Sequence, residues 1–163
     1  MIAFDNSDDW RTFVKRLDID ASVPTVIGAK YRRAQKLLLL GWIDVDLVKA
    51  SELVALTTLE LALTDRYGHQ LSGRKRSFSA LLRHMVEVDG LTDNQVPLIV
   101  RCGGTVIDRI IGKSKPSIAE LRNKMAHGDP FDGLPYAGLL ELVRDLIAFA
   151  YRDFNPHSTN HYL

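Results

Sequence analysis

Residues 44–67 read DVDLVKASELVALTTLELALTDRY. Leu47, Ala50, Leu53, Val54, Leu56, Leu59, Ala62 and Leu63 recur at spacings of three and four, the period of one buried face of an α-helix. Asp44 and Asp46 offer side-chain acceptors for the N–H groups that a first helical turn leaves unpaired. The pattern predicts a long helix running to about Tyr67, and it sets the fold class, because the rest of the chain repeats its period.

Upstream, Val23 to Trp42 opens with Pro24 and carries Val26, Ile27, Tyr31, Ala34 and Leu37 to Leu40, an apolar face with a basic flank. Downstream, Gly68 to Gly73 and Arg74 to Arg76 read as a polar loop. Ser77 then caps a helix through Phe78, Leu81, Leu82, Met85 and Val86, which Gly90 ends. Asp93 opens an apolar segment, Val96 to Ile111, that Gly103-Gly104 bends or splits. Ser117 to His127 forms another helix, Gly128 to Pro135 is turn-rich, and a last helix extends from about Tyr136 to Phe154 with Leu139, Leu142, Val143, Leu146, Ile147 and Ala150 inward. Strand alternation is nearly absent, and there is no internal repeat or linker. The expectation is one all-α domain over 1–163, a compact bundle of about five or six helices with its core at about 23–154, an acidic segment at 1–22 and a loose tail at 155–163.

Bulk properties narrow the function classes. Lys and Arg number 21 against 20 Asp and Glu, a formal net charge of +1, so binding to a polyanion must rest on local charge. Basic islands lie at Lys30-Tyr31-Arg32-Arg33, Lys36 and Arg74-Lys75-Arg76. Cys102 is the single cysteine, which excludes an intramolecular disulfide and a cysteine-rich metal site and fits a reducing compartment. Met1 to Trp10 lacks the apolar core of a secretory signal, and the run Leu37 to Leu40 is far too short for a bilayer. A soluble, cytoplasmic protein with no membrane partner is expected.

One octapeptide reads as chemistry rather than packing: Leu121-Arg122-Asn123-Lys124-Met125-Ala126-His127-Gly128. Ser117 and Glu120 have capping-box spacing at the start of this helix, and Gly128-Asp129-Pro130 stops it, so His127 falls in the last turn. On an ideal helix Ile118, Leu121 and Met125 share the core side. Going round from them come Arg122, then Ala119 and Ala126, then Asn123 and His127: a shallow strip floored by small residues and rimmed by a cation, an amide and an imidazole. Arg122 is always charged and its fork matches phosphate oxygens. The helix dipole biases His127 toward its protonated form, which suits a general acid. Asn123, one turn from His127, is placed to orient the imidazole or a phosphate. RNA suits such a pair because its own 2′-hydroxyl is the nucleophile. The same spacing also describes a solvated helix end with a dipole-complementing histidine.

Arg122-Asn123-Lys124-Met125-Ala126-His127 resembles the Arg, four to six residues, His motif of the HEPN superfamily, including the polar residue after the arginine and the Ala-His-Gly ending. The plan of Val23 to Phe154 is similar too: a long Leu- and Ala-rich helix (Glu52 to Tyr67), then the motif, then a closing helix. This resemblance implies an all-α bundle that dimerises with its motif helices facing each other. It also implies a metal-independent endoribonuclease without cofactor that leaves a 2′,3′-cyclic phosphate, in toxin-antitoxin, phage-defence or RNA-processing roles. Arg122 and His127 would be the catalytic pair and Asn123 their support. RNA, a second copy of the chain and an antitoxin or other regulatory protein are the implied partners, with Arg74, Lys75, Arg76 and Lys124 as candidate RNA contacts. Some members have lost catalysis and serve as dimerisation or binding modules. Asp129 departs from the branch that carries Tyr two positions after the histidine. An acidic residue from an earlier helix sometimes completes such a site; Glu60 and Asp65 are both candidates, and the sequence does not choose between them.

Other constellations carry less. His157 and His161 have i, i+4 spacing, but they follow Pro156 in the tail and no metal ligation is expected of them. Gly103-Gly104 lacks the lysine and hydroxyl of a phosphate loop.

Overall fold

A computed structural model describes residues 4–71, 73, 76–128 and 138–154. Among them the chain forms α1 (Ser7–Lys15), α2 (Thr25–Leu40), α3 (Asp46–Tyr67), α4 (Phe78–Glu87), a 3-10 turn at Asp93–Gln95, α5 (Pro97–Cys102), α6 (Ile107–Ile110), α7 (Ile118–Ala126) and α8 (Leu139–Ala150). The all-α bundle expected from the periodicity is present. No helix among the described residues is long and apolar enough to cross a membrane.

The central element is α3, against which α2, α8, α4 and α7 all pack. Leu56, Leu59, Ala62 and Leu63 are fully buried, and each large side chain taken from water contributes about 1.5–3 kcal/mol. Ala50, in contrast, is exposed. The inner face is completed by smaller and more polar side chains than the apolar pattern alone picks out, Ser51, Ala55 and Thr58. Ser51 marks a close approach of α2: its Oγ donates to the Ala34 carbonyl at 2.7 Å. Near the turn between α2 and α3, a Cβ on Gly41 would lie 2.5 Å from Val48 Cγ2. The contacts Ala34 with Ser51 and Gly41 with Val48 fix α2 and α3 as an antiparallel hairpin. At its tip Leu40, Trp42, Ile43 and Val45 remain exposed.

Eight α-helices among the described residues exceed the five or six expected, for two reasons. The first is α1. Asn6 accepts from the N–H groups of Asp8 and Asp9 at 3.0 and 2.9 Å, a side-chain cap that outweighs the modest helix propensity of an acidic stretch. Trp10 Nε1 then donates to the carbonyls of Leu38 and Leu39, both at 3.1 Å, at the C-terminal end of α2. Val14, Leu17 and Ile19 join the core, so the core begins upstream of Val23.

The second reason is Gly103-Gly104, with φ of +76° and +93°, which splits the 96–111 segment into α5 and α6. Glycine adopts that backbone without steric cost. Asp93 holds the break in place: its carboxylate accepts from the Val106 and Ile107 N–H groups at 2.7 and 3.3 Å and from the Thr105 hydroxyl at 2.7 Å.

α8 closes the bundle. The hydroxyl of the fully buried Tyr31 donates to the Leu140 carbonyl at 2.9 Å, and burial pushes this phenol far above its ordinary range. Asp145 Oδ2 accepts from the Leu98 N–H at 2.8 Å, capping α5 from a distant helix. Beside it Glu141 receives a two-pronged bond from Arg101, both contacts at 2.7 Å. The expected start of this helix at Tyr136, and most of the turn-rich stretch before it, lie outside the described residues, as does the tail with His157 and His161.

Candidate functional site

α7 starts where the sequence places it. Ser117 Oγ accepts from the Glu120 N–H at 3.2 Å, and Glu120 Oε2 accepts from the Ser117 N–H at 2.9 Å. This reciprocal pair satisfies two donors that a helix start would otherwise leave unmet. Lys115 Nζ also pairs with Glu120. The Lys115 contact, followed by the Ser117 N–H bond, brings the Glu120 carboxyl down to about 2. Ile118 and Leu121 are buried and Met125 is half-buried, so the predicted core side faces the core. The helix ends on His127, whose N–H donates to the Asn123 carbonyl at 3.0 Å. Gly128, at φ +67°, turns the chain away.

This seating delivers Arg122 to α3. Its Nη2 donates to Glu60 Oε2, and the pair is about three-quarters buried, with side-chain exposures of 24% and 26%. Nη1 donates to Asn123 Oδ1 at 2.8 Å. The guanidinium carbon lies 5.9 Å from the centroid of the Phe78 ring, within cation–π range. Nε is buried and has no acceptor among the described residues. Three elements therefore converge on one cation: a carboxylate from α3, an aromatic face from α4 and an amide from the next residue of α7.

The cluster forms one wall of a groove of about 480 Å³ between α4, α6 and α7, which also takes in Ala119, Arg83, Ile111 and Lys115. This volume falls within the range of small-ligand sites. Of the predicted strip, Ala119 is buried in the groove wall, whereas Ala126 is exposed beyond it. His127 is exposed, does not line the groove, and has no side-chain partner among the described residues. The structure thus brings Arg122 and Asn123 together and leaves His127 on the open end of the same helix.

Among the other expected residues, Lys124 is exposed. Arg76 is exposed and uses Nε to bond the Leu71 carbonyl at 2.8 Å. Arg74 and Lys75 lie outside the described residues. Between the two acidic candidates the geometry chooses. Glu60 takes Arg122, while Asp65 Oδ2 accepts from the Tyr151 hydroxyl at 2.6 Å on the α8 side. No local sequence pattern marks Phe78, Arg83 or Lys115 as site residues, because their association with Arg122 exists only after α4, α6 and α7 have packed. No family model, no curated protein and no solved structure matches this chain.

Proposed function

We propose that this protein is a HEPN-type endoribonuclease that cleaves RNA without a metal ion, using Arg122 and His127. The observation that carries this reading is the Arg122 cluster: a guanidinium held over Phe78, supported by Asn123 and Glu60, on the wall of an open groove and five positions from an exposed histidine at the end of the same helix. In the reaction the RNA 2′-oxygen attacks the adjacent phosphorus while its proton passes to a base. The bond from phosphorus to the 5′-oxygen breaks, that oxygen takes up a proton, and the products are a 2′,3′-cyclic phosphate and a 5′-hydroxyl end. His127 serves as the proton donor or acceptor, and its exposure leaves the imidazole accessible to a long substrate. Arg122 supplies fixed positive charge where negative charge grows on the phosphoryl oxygens. Glu60 and Asn123 restrict the guanidinium to one orientation, which reduces the ordering cost when substrate arrives.

His127 stands outside the groove that holds Arg122, so a single protomer presents the two halves of the machinery side by side rather than facing one another. This supports a composite site in which a second copy of the chain brings its own α7 opposite the first. A toxin or phage-defence role, with an antitoxin or another regulatory protein as partner, belongs to the same reading.

One observation favours a second reading, a non-catalytic HEPN-like dimerisation or binding module: Arg122 already has an intramolecular carboxylate partner in Glu60. Incubation of the purified protein with mixed RNAs in EDTA separates the two. The nuclease reading expects cleavage that His127→Ala abolishes. Intact RNA, or equal cleavage by the variant, overturns it in favour of the module.

A further inference from the structure

The groove holds more cationic side chains than one arginine needs. We propose that Arg83 and Lys115 form a phosphate-binding track along it, taking the backbone of single-stranded RNA on one side of the phosphate that Arg122 engages. This inference rests on the nuclease reading for its ligand class and on the groove itself for its location.

Both of these cations sit in surface ion pairs, where solvent screens the attraction. Arg83 reaches Glu87 only at 3.9 Å, with both side chains 58% exposed, and exposed pairs of this kind contribute little. Lys115 pairs with Glu120 with its own side chain 65% exposed. Glu120 is already committed to the Ser117 N–H, so it keeps a partner when Lys115 turns to a phosphate. A phosphodiester offers each cation a charge-assisted contact at little cost. The groove wall also carries the hydroxyls of Ser77 and Ser79, 3.1 Å apart at the start of α4. Ile111 and Ala119 add apolar surface to the same groove. A groove that combines several cations, hydroxyls and apolar surface suits a chain of phosphates and bases better than a compact anion.

The test is fluorescence anisotropy of a labelled single-stranded oligoribonucleotide, with His127→Ala as the background so that the probe stays whole. Arg83→Ala combined with Lys115→Ala is expected to weaken binding about tenfold, and to lower the slope of log affinity against log salt by about 0.7 for each phosphate the protein no longer neutralises. Ser79→Glu guards against misfolding: a carboxylate in the first turn of α4 favours the helix while repelling a phosphate. It is expected to weaken binding with an unchanged or raised melting temperature. Lys36→Ala, on the exposed face of α2, is expected to change nothing. Binding that survives both groove variants, a loss equalled by Lys36→Ala, or no binding by the parent overturns the track. If the groove variants bind normally while wild-type cleavage still depends on His127, the track fails and the nuclease reading stands. If they lose binding although wild type never cleaves, the track stands and the nuclease reading falls.

Discussion

Arg122 on α7 and Glu60 on α3 lie 62 positions apart in the chain and share an ion pair about three-quarters shielded from solvent. Such a pair is asymmetric in its energetics. Removing one partner leaves a poorly solvated charge, whereas removing both leaves only a packing defect. Glu60→Ala is therefore expected to lower stability by about 1–2 kcal/mol. Adding Arg122→Ala should cost less than the sum of the single changes, with a coupling of about 0.5–2 kcal/mol. Urea unfolding of the four proteins measures it, and strict additivity would mean that the pair does not hold α7 to α3.

The chemistry is tested on the same arginine. Lysine keeps the charge of Arg122 but loses the fork that reaches Glu60 and Asn123 together. Under the nuclease reading Arg122→Lys and His127→Ala each reduce the rate of RNA cleavage by about 100-fold or more. Single-turnover assays in EDTA provide the measurement; a fully active Arg122→Lys would reduce the role of the guanidinium to charge alone. In cells, expression of wild type is expected to arrest growth and Arg122→Ala to relieve the arrest.

Acid should unfold the protein partly through Glu141. Arg101 first, against the opposing effect of burial, and Arg144 more weakly hold its carboxyl below the ordinary value of 4.5. A depressed folded value means that the stabilisation is complete above the unfolded value and is lost as pH falls through the folded one. The urea midpoint is expected to stay level from pH 7 to about 5 and to drop below that. Glu141→Gln should cost about 1–3 kcal/mol at pH 7 and flatten the acid limb; an unchanged limb would place the acid sensitivity elsewhere, with Asp89 and its Arg152 partner the next group to examine.

The hairpin of α2 and α3 depends on small side chains where the two helices meet. Ala34 and Ala55 are fully buried, and Ser51 bonds the Ala34 carbonyl. Ala34→Leu adds volume where the helices have no room and should cost about 1–3 kcal/mol. Thermal melting reads the loss; a neutral effect would show that the hairpin opens at little cost.

The capping box is the most local of these features. Ser117→Ala removes the acceptor for the Glu120 N–H and is expected to cost about 1 kcal/mol. Its sharper signature is faster amide exchange confined to the first turn of α7. Unchanged exchange there would mean that Lys115 and the core contacts of Ile118 hold the turn by themselves.

By itself the sequence determined the features that depend on near neighbours. The period of residues 47–63 set α3, Ser117 and Glu120 set the start of α7, and Gly103-Gly104 set the break between α5 and α6, because caps, periodicity and positive φ act within a few residues. It marked Arg122, Asn123 and His127 for the same reason, since one helix carries all three. α1 is not legible in the same way, because the aspartates around it obscure a short apolar face that becomes stable only against the end of α2. Tertiary packing alone chose Glu60 over Asp65, laid Phe78 beneath the guanidinium, gathered Arg83 and Lys115 into one groove and left His127 outside it. Glu60 and Asp65 are both acidic side chains of α3, and only the placement of α7 on one side and α8 on the other gives one of them to an arginine and the other to a tyrosine.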